Sequence, residues 1–206
     1  MSDFLVGLDL GQSQDYTALV VAERVQVPTG ERSRYDGTPI CLKHYHVRHI
    51  QRFALGTAYP VIVEQVAGML RQGPLVGRYR LVVDATGVGA PVVDLFRQGG
   101  MSPTGVTITG GNTPTHEGAN WLVPKRDLVS TMQVLLQSRR LMVAEELPEA
   151  PLLVKELLDF QVKITMAAHD IYGAWREGQH DDLVLATALA VWFGERMGDG
   201  PRVLFL

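Results

Sequence analysis

The chain has 206 residues, 46% of them hydrophobic and 20% charged, with a formal net charge of −3. That suffices for one domain with a substantial core, and the near-neutral balance carries no global mark of a nucleic-acid binder. The lone Cys41 excludes an intramolecular disulfide and a cysteine-based zinc site, and the N-terminus MSDFLVGLDL lacks the basic region and long apolar core of a secretory signal. No stretch approaches the length of a membrane span, so the reading is a soluble, cytoplasmic protein.

Residues 4–10 are strongly apolar, as expected of a strand covered on both faces. YTALVVAERVQV (16–27) and ICLKHYHVRHI (40–50) predict two more strands, joined by a polar loop and forming an antiparallel ribbon with the first. TAYPVIVEQVAGMLRQ (57–72) has helical spacing and stops at Gly73-Pro74; YRLVVDATGVG (79–89) reads as strand and glycine-rich turn. APVVDLFRQGG (90–100) is a short helix closed by two glycines, and PTGVTIT (103–109) a short strand. A polar loop, GGNTPTHEGAN (110–120), then precedes a helix in WLVPKRDLVSTMQVLLQSRR (121–140). Pro124 suits its first turn, and Leu128, Met132, Leu135 and Leu136 share one face.

LMVA (141–144) is a brief strand, and APLLVKELLDFQVKI (150–164) an amphipathic helix carrying Leu153, Leu157 and Phe160. Residues 167–180 predict a hairpin or loop, and His180 to Met197 the last helix. No repeat or interdomain linker interrupts this order. Residues 1–206 are read as a single domain: one mixed α/β sheet, three antiparallel strands plus parallel ones, with helices on both faces.

The chemistry sits in the carboxylates. Asp9 lies between leucines in the first strand, Asp84 ends the run RYRLVVD, and Asp181 and Asp182 open the apolar stretch of the last helix. Ionised carboxylates leave water only when paired or metal-bound, so one at each of three hydrophobic elements points to a divalent cation. If the strands of Asp9 and Asp84 are neighbours, the first turn of the last helix brings Asp181 or Asp182 to the same spot. Consecutive helical residues point about 100° apart, so the two are not equal ligands. Asp182 is the first choice, with Asp181 as second ligand or outer partner. Such an oxygen set suits Mg2+ or Mn2+. Two ions about 3.5–4 Å apart activate water and stabilise the leaving oxygen of a phosphodiester. Singly, each aspartate has a plainer role: Asp181 or Asp182 as a helix-start residue, Asp84 as the opening of a turn. Asp15 is either a turn residue or a supporting carboxylate.

Other signals are weaker. No Walker A loop occurs in the chain. His44, His46 and His49 share one strand without completing a zinc set. Lys125 at a helix start is unfavourable with the dipole, which points to a phosphate contact or a charge-balancing role. His180 is placed to orient an aspartate or the phosphate, or to cap the helix. Arg48 with Arg52, Arg78 with Arg80, Lys125 with Arg126 and Arg139 with Arg140 read first as solvated surface charge. Trp121, Trp175 and Trp192 read as packing anchors.

GLDLGQSQDYTALVV, VVDATGVGAPVVDLF, VPKRDLV, KELLDF and GQHDDLVLATALAVW, in this order, resemble the nuclease domain of the large terminase subunits of tailed bacteriophages, over nearly the whole chain. The resemblance implies a ribonuclease H-like fold and metal-dependent cleavage of concatemeric phage DNA during genome packaging. It implies Asp9, Asp84 and Asp181 or Asp182 as metal ligands, with Asp15 nearby; the mechanism expected of that set has Asp9 bridging two ions. Its implied partners are double-stranded DNA, the terminase motor domain, the small terminase subunit and the portal, in the bacterial cytoplasm. The ATPase motor of a full large subunit is missing from these residues, so the expectation is an excised domain or a stand-alone phage or prophage protein. A junction-resolving endonuclease would use the same acidic set, and a non-catalytic DNA or capsid docking module is the other alternative. A sugar kinase or actin-like ATPase pairs two such domains, for which this chain is too short.

Overall fold

A computed structural model describes residues 3–11, 15–87, 89–166 and 181–198, with the backbone alone for residues 89 and 160–166. Its strands are β1 (Asp3–Asp9), β2 (Ala18–Arg32), β3 (Pro39–Arg52), β4 (Tyr79–Asp84), β5 (Thr104–Thr109), β6 (Thr115–Glu117), β7 (Asn120–Pro124) and β8 (Leu141–Val143). Its helices are α1 (Tyr59–Leu70), α2 (Gly89–Gln98), α3 (Lys125–Gln137), α4 (Ala150–Met166) and α5 (Asp182–Arg196). The strands form one sheet in the order β6-β7-β5-β4-β1-β2-β3-β8. β1, β2 and β3 make the expected antiparallel ribbon; β4 runs parallel to β1, and β5 and β7 continue in that direction. This is a ribonuclease H-like mixed sheet flanked by helices.

Strand alternation divides the core in two. Phe4, Val6 and Leu8 of β1 pack with Leu81 and Val83 of β4 beneath α1 and α2. Leu5 of β1 and Val82 of β4 face the other way, toward α5, with α3 and α4 outside it. Fully burying one such side chain contributes about 1.5–3 kcal/mol. α5 is apolar nearly all round because it is covered on both sides, by the sheet and by α3 and α4.

Gly7 sets how closely α5 sits on β1. A Cβ there would fall on the Ala186 carbonyl, so only glycine admits this contact. Asp9 lies two residues beyond Gly7 in β1, and Asp182 one turn before Ala186 in α5. The same contact therefore seats the start of α5 over the C-terminal end of β1.

Two expectations need correction. The polar loop at 110–120 contains β6 and the start of β7, an antiparallel hairpin. Residues 121–124 are strand, not helix: Trp121 and Val123 turn toward the core while Leu122 is exposed, and α3 starts only at Lys125, with Pro124 at its N-cap. The last helix starts at Asp182 with Asp181 at the N-cap; His180, Trp175 and the hairpin or loop at 167–180 lie outside the described residues. So does the side chain of Phe160, whereas Leu153 and Leu157 are buried as expected. No helix among the described residues is long and apolar enough to cross a membrane.

Candidate metal and nucleic-acid site

Register places the carboxylates. Leu8 pairs with Val83 in the parallel β1–β4 ladder, so the next residues, Asp9 and Asp84, end neighbouring strands side by side on the α5 face, about 4.8 Å apart strand to strand. Asp9 also pairs with Ala18 of β2, and Ala18 with Arg52 of β3. One row across the sheet therefore reads Asp84, Asp9, Ala18, Arg52, beneath the first turn of α5. Asp9, Asp84, Asp181 and Asp182 are all buried.

Each carboxylate is held by its neighbours. Asp84 Oδ1 accepts from the Thr86 amide at 2.8 Å and from the Thr86 hydroxyl, whose oxygen accepts from the Ile108 amide at 2.9 Å. Asp84 thus opens a turn as well as closing a strand. Asp182 Oδ2 accepts from Arg52 Nη2 at 2.7 Å. The Arg52 guanidinium stacks 4.2 Å above the Tyr16 ring and stands 3.5 Å from Glu156 Oε1. Glu156 Oε2 accepts from the Leu183 amide at 3.1 Å, satisfying an amide of the first turn of α5. Burial pushes the Glu156 carboxyl up to about 7; Arg52 opposes this rise, and Asp182 adds to it.

Gly11, just past β1, is fixed from two sides. The Gly11 amide donates to Thr17 Oγ1 at 3.1 Å, and the Tyr59 hydroxyl donates to the Gly11 carbonyl at 3.0 Å. A Cβ on Gly11 would strike the backbone of Asp15 and Tyr16. Asp15 itself is exposed in the loop between β1 and β2.

Lys125 starts α3 at the end of β7, on the same rim of the sheet but two strands from β4. Asp84 is level with Val106, and Val106 with Trp121, so Lys125 stands four residues further along. Strand spacing puts the Cα atoms of Asp84 and Lys125 on the order of 15 Å apart. The structure therefore brings Asp9, Asp84, Asp181 and Asp182 to one end of the fold and leaves Lys125 at its margin.

All four buried aspartates offer hard oxygen donors, the chemistry that Mg2+ and Mn2+ select. The donor set fits such an ion in kind. Convergence is what it lacks: among the described residues, no three His, Cys, Asp or Glu side chains form a group that could hold a metal ion. Sequence reasoning missed Glu156, Arg52 and Thr86. Glu156 had a signal, since it lies three residues after Leu153 and next to Leu157, on the inward stripe of its helix.

No protein-family model matches the sequence, and no curated protein matches it. Solved structures do share its fold. The large terminase nuclease from thermophilic phage G20c is similar over 92% of this chain and 81% of that one, with 17% identity and a TM-score of 0.50. The human cytomegalovirus terminase nuclease domain, Mn soaked and inhibitor bound, is similar over 93% of this chain and 82% of that one, with 13% identity and a TM-score of 0.52. At these identities the likeness is one of fold. The chain has a terminase nuclease-like, ribonuclease H-like fold.

Proposed function

We propose that this chain is a divalent-metal-dependent endonuclease that cuts duplex DNA at the end of the sheet where Asp9 and Asp84 meet the first turn of α5, and that it does so during phage genome packaging. The observation that carries the reading is the seating of two buried strand-end aspartates under two more at a helix start, within a terminase nuclease-like fold. In this reading Asp9, Asp84, Asp182 and Asp181 hold the metal, and Asp15 supports the set from the loop. A bound Mg2+ or Mn2+ supplies Lewis acidity toward a phosphodiester oxygen and acidifies water.

The chain's own residues supply order. Thr86 orients Asp84, Arg52 holds Asp182, and Gly7 sets the height of α5 over the row. At its distance from the carboxylates, Lys125 serves as a backbone-phosphate contact for DNA running along the rim, with Arg126 beside it, rather than as a partner of the scissile phosphate. The fold likeness supports concatemeric phage DNA as substrate, and the terminase motor, small subunit and portal as partners.

The test is cleavage of supercoiled plasmid by the full chain in chelator, Mg2+ or Mn2+, with Asp9→Asn and Asp182→Asn alongside. Nicking and linearisation with either metal, lost by at least a hundredfold (about 3 kcal/mol) in both folded variants, is expected. Undiminished cutting by both variants removes these aspartates from the chemistry. Metal binding without cutting of any DNA points to a site that needs its motor or partners, and absence of metal binding as well favours the docking-module alternative.

A further inference from the structure

Arg52 is oddly used for a buried arginine. A guanidinium that locks a carboxylate frequently does so as a fork, with two parallel bonds. Here a single nitrogen, Nη2, serves Asp182 at 2.7 Å and Glu156 at 3.5 Å, from two different helices. Arg52 Nε and Glu156 Oε1 are both buried with no hydrogen-bond partner among the described residues. Buried polar atoms left unmatched call for an explanation. One positive centre shared between two carboxylates, with valences on both sides unspent, is the arrangement of a cation that another can replace.

Position agrees with this. Arg52 lies in the row of Asp9 and Asp84, two strands from Asp9, and the side chain between them is only the methyl of Ala18. Its guanidinium is steadied from the loop by the Tyr16 ring. While Asp182 Oδ2 is bound to Arg52, Asp182 stays tied to the β3 side of the row, and no three carboxylates among the described residues group around a metal.

We propose that Arg52 is a resident counter-cation, a positioning residue that occupies Asp182 until a divalent ion displaces it, so that the Arg52–Asp182 bond and full metal ligation by Asp182 exclude each other. This rests on the metal-carboxylate reading above. Arg52 has two effects: it balances buried negative charge in the metal-free chain, and it raises the divalent concentration needed to assemble the site. A nuclease so built resists dilute divalent ions and needs a higher concentration of them to load.

The experiment is Mn2+ titration by calorimetry of the full wild-type chain, Arg52→Gln and Asp9→Asn, with thermal unfolding of each in chelator and in Mn2+. Arg52→Gln is expected to bind Mn2+ on the order of tenfold tighter than wild type, because a like charge beside the site is gone. It also unfolds at lower temperature in chelator and gains more from Mn2+ than wild type does. Weaker or unchanged Mn2+ binding by Arg52→Gln, with wild type binding normally, overturns the role given to Arg52 and leaves the metal site standing. Absence of Mn2+ binding from wild type and Arg52→Gln alike overturns both. Should Arg52→Gln not fold, the wild-type guanidinium resonances decide: saturating Mg2+ is expected to release Arg52 from restricted rotation, and an unchanged signal overturns the proposal.

Discussion

The two ends of α5 both carry charge, yet they are finished in opposite ways. At the C-terminal end the sheet supplies cations to the last carbonyls. Arg24, only 4% exposed, donates to Gly194 and Met197, and Lys43 Nζ donates to Gly194, Glu195 and Met197. The Glu195 carboxylate accepts from the Tyr45 hydroxyl at 2.8 Å and from Arg140; burial and this acceptor push the Tyr45 phenol well above its usual range. Cations at a helix C-terminus also suit its dipole. Everything there serves to hold α5 in place.

At the N-terminal end the sheet supplies carboxylates instead. Asp181 stands at the N-cap without a side-chain capping bond, and the amide it leaves, that of Leu183, is taken by Glu156 from α4. The dipole favours negative charge here, but it amounts to only about half a unit charge. Acids from β1, β4, α4 and α5 gather at this end. The difference teaches that one helix is held by cations at one end and gathers carboxylates at the other, and each end should fail in its own way.

The largest effect is expected where the two ends are joined. Gly7→Ala drives a methyl into the Ala186 carbonyl and should cost about 3 kcal/mol or more, seen in urea unfolding, with loss of metal response, because α5 can no longer sit over Asp9. Next is Arg24→Met, which removes one of the two cations that serve the Gly194 and Met197 carbonyls at the anchoring end, together with the salt bridge to Asp3. It should cost about 2–3 kcal/mol while leaving Mn2+ affinity unchanged. A parallel loss of Mn2+ affinity would show that the two ends are not separable.

Smaller still is a pH effect at the N-terminal end. The Glu156 carboxyl rises from 4.5 to about 7 on folding, so between those values the folded chain binds more protons than the unfolded one. Stability in chelator should therefore fall as pH rises through this window, by less than the roughly 3 kcal/mol that the full shift carries. Glu156→Gln should flatten that slope; an unchanged slope places its origin elsewhere. The smallest effect is expected on the outer face of α4, where the exposed Leu158 contributes little, and Leu158→Lys should shift stability by no more than about 0.5 kcal/mol.

Much of this was legible in the chain. The strands of Asp9 and Asp84 announce themselves as apolar runs because both of their faces are covered. Arg48 and Arg52 show the limit: four residues apart on one strand and alike in sequence, one is exposed on Glu23 while the other turns inward to Asp182. Which face each takes is set by a register shift in the β2–β3 ladder, between Val21 and Ala22, and no local pattern encodes it. β6 and β7 were hidden for a different reason. Thr115–Glu117 is an exposed edge with no apolar alternation, and Trp121-Leu122-Val123 is too short a run to stand apart from the helix that follows it.

The central claim, that the N-terminal end of α5 is the metal end, is tested most directly by Mn2+ broadening of backbone amide resonances in the full chain. Substoichiometric Mn2+ should erase the signals of Leu8, Ala85 and Leu183 while leaving those of Lys43, Gly194 and Glu195 sharp, and Asp9→Asn should restore the first set. Broadening centred on the C-terminal end of α5, or none at either end, would contradict the account.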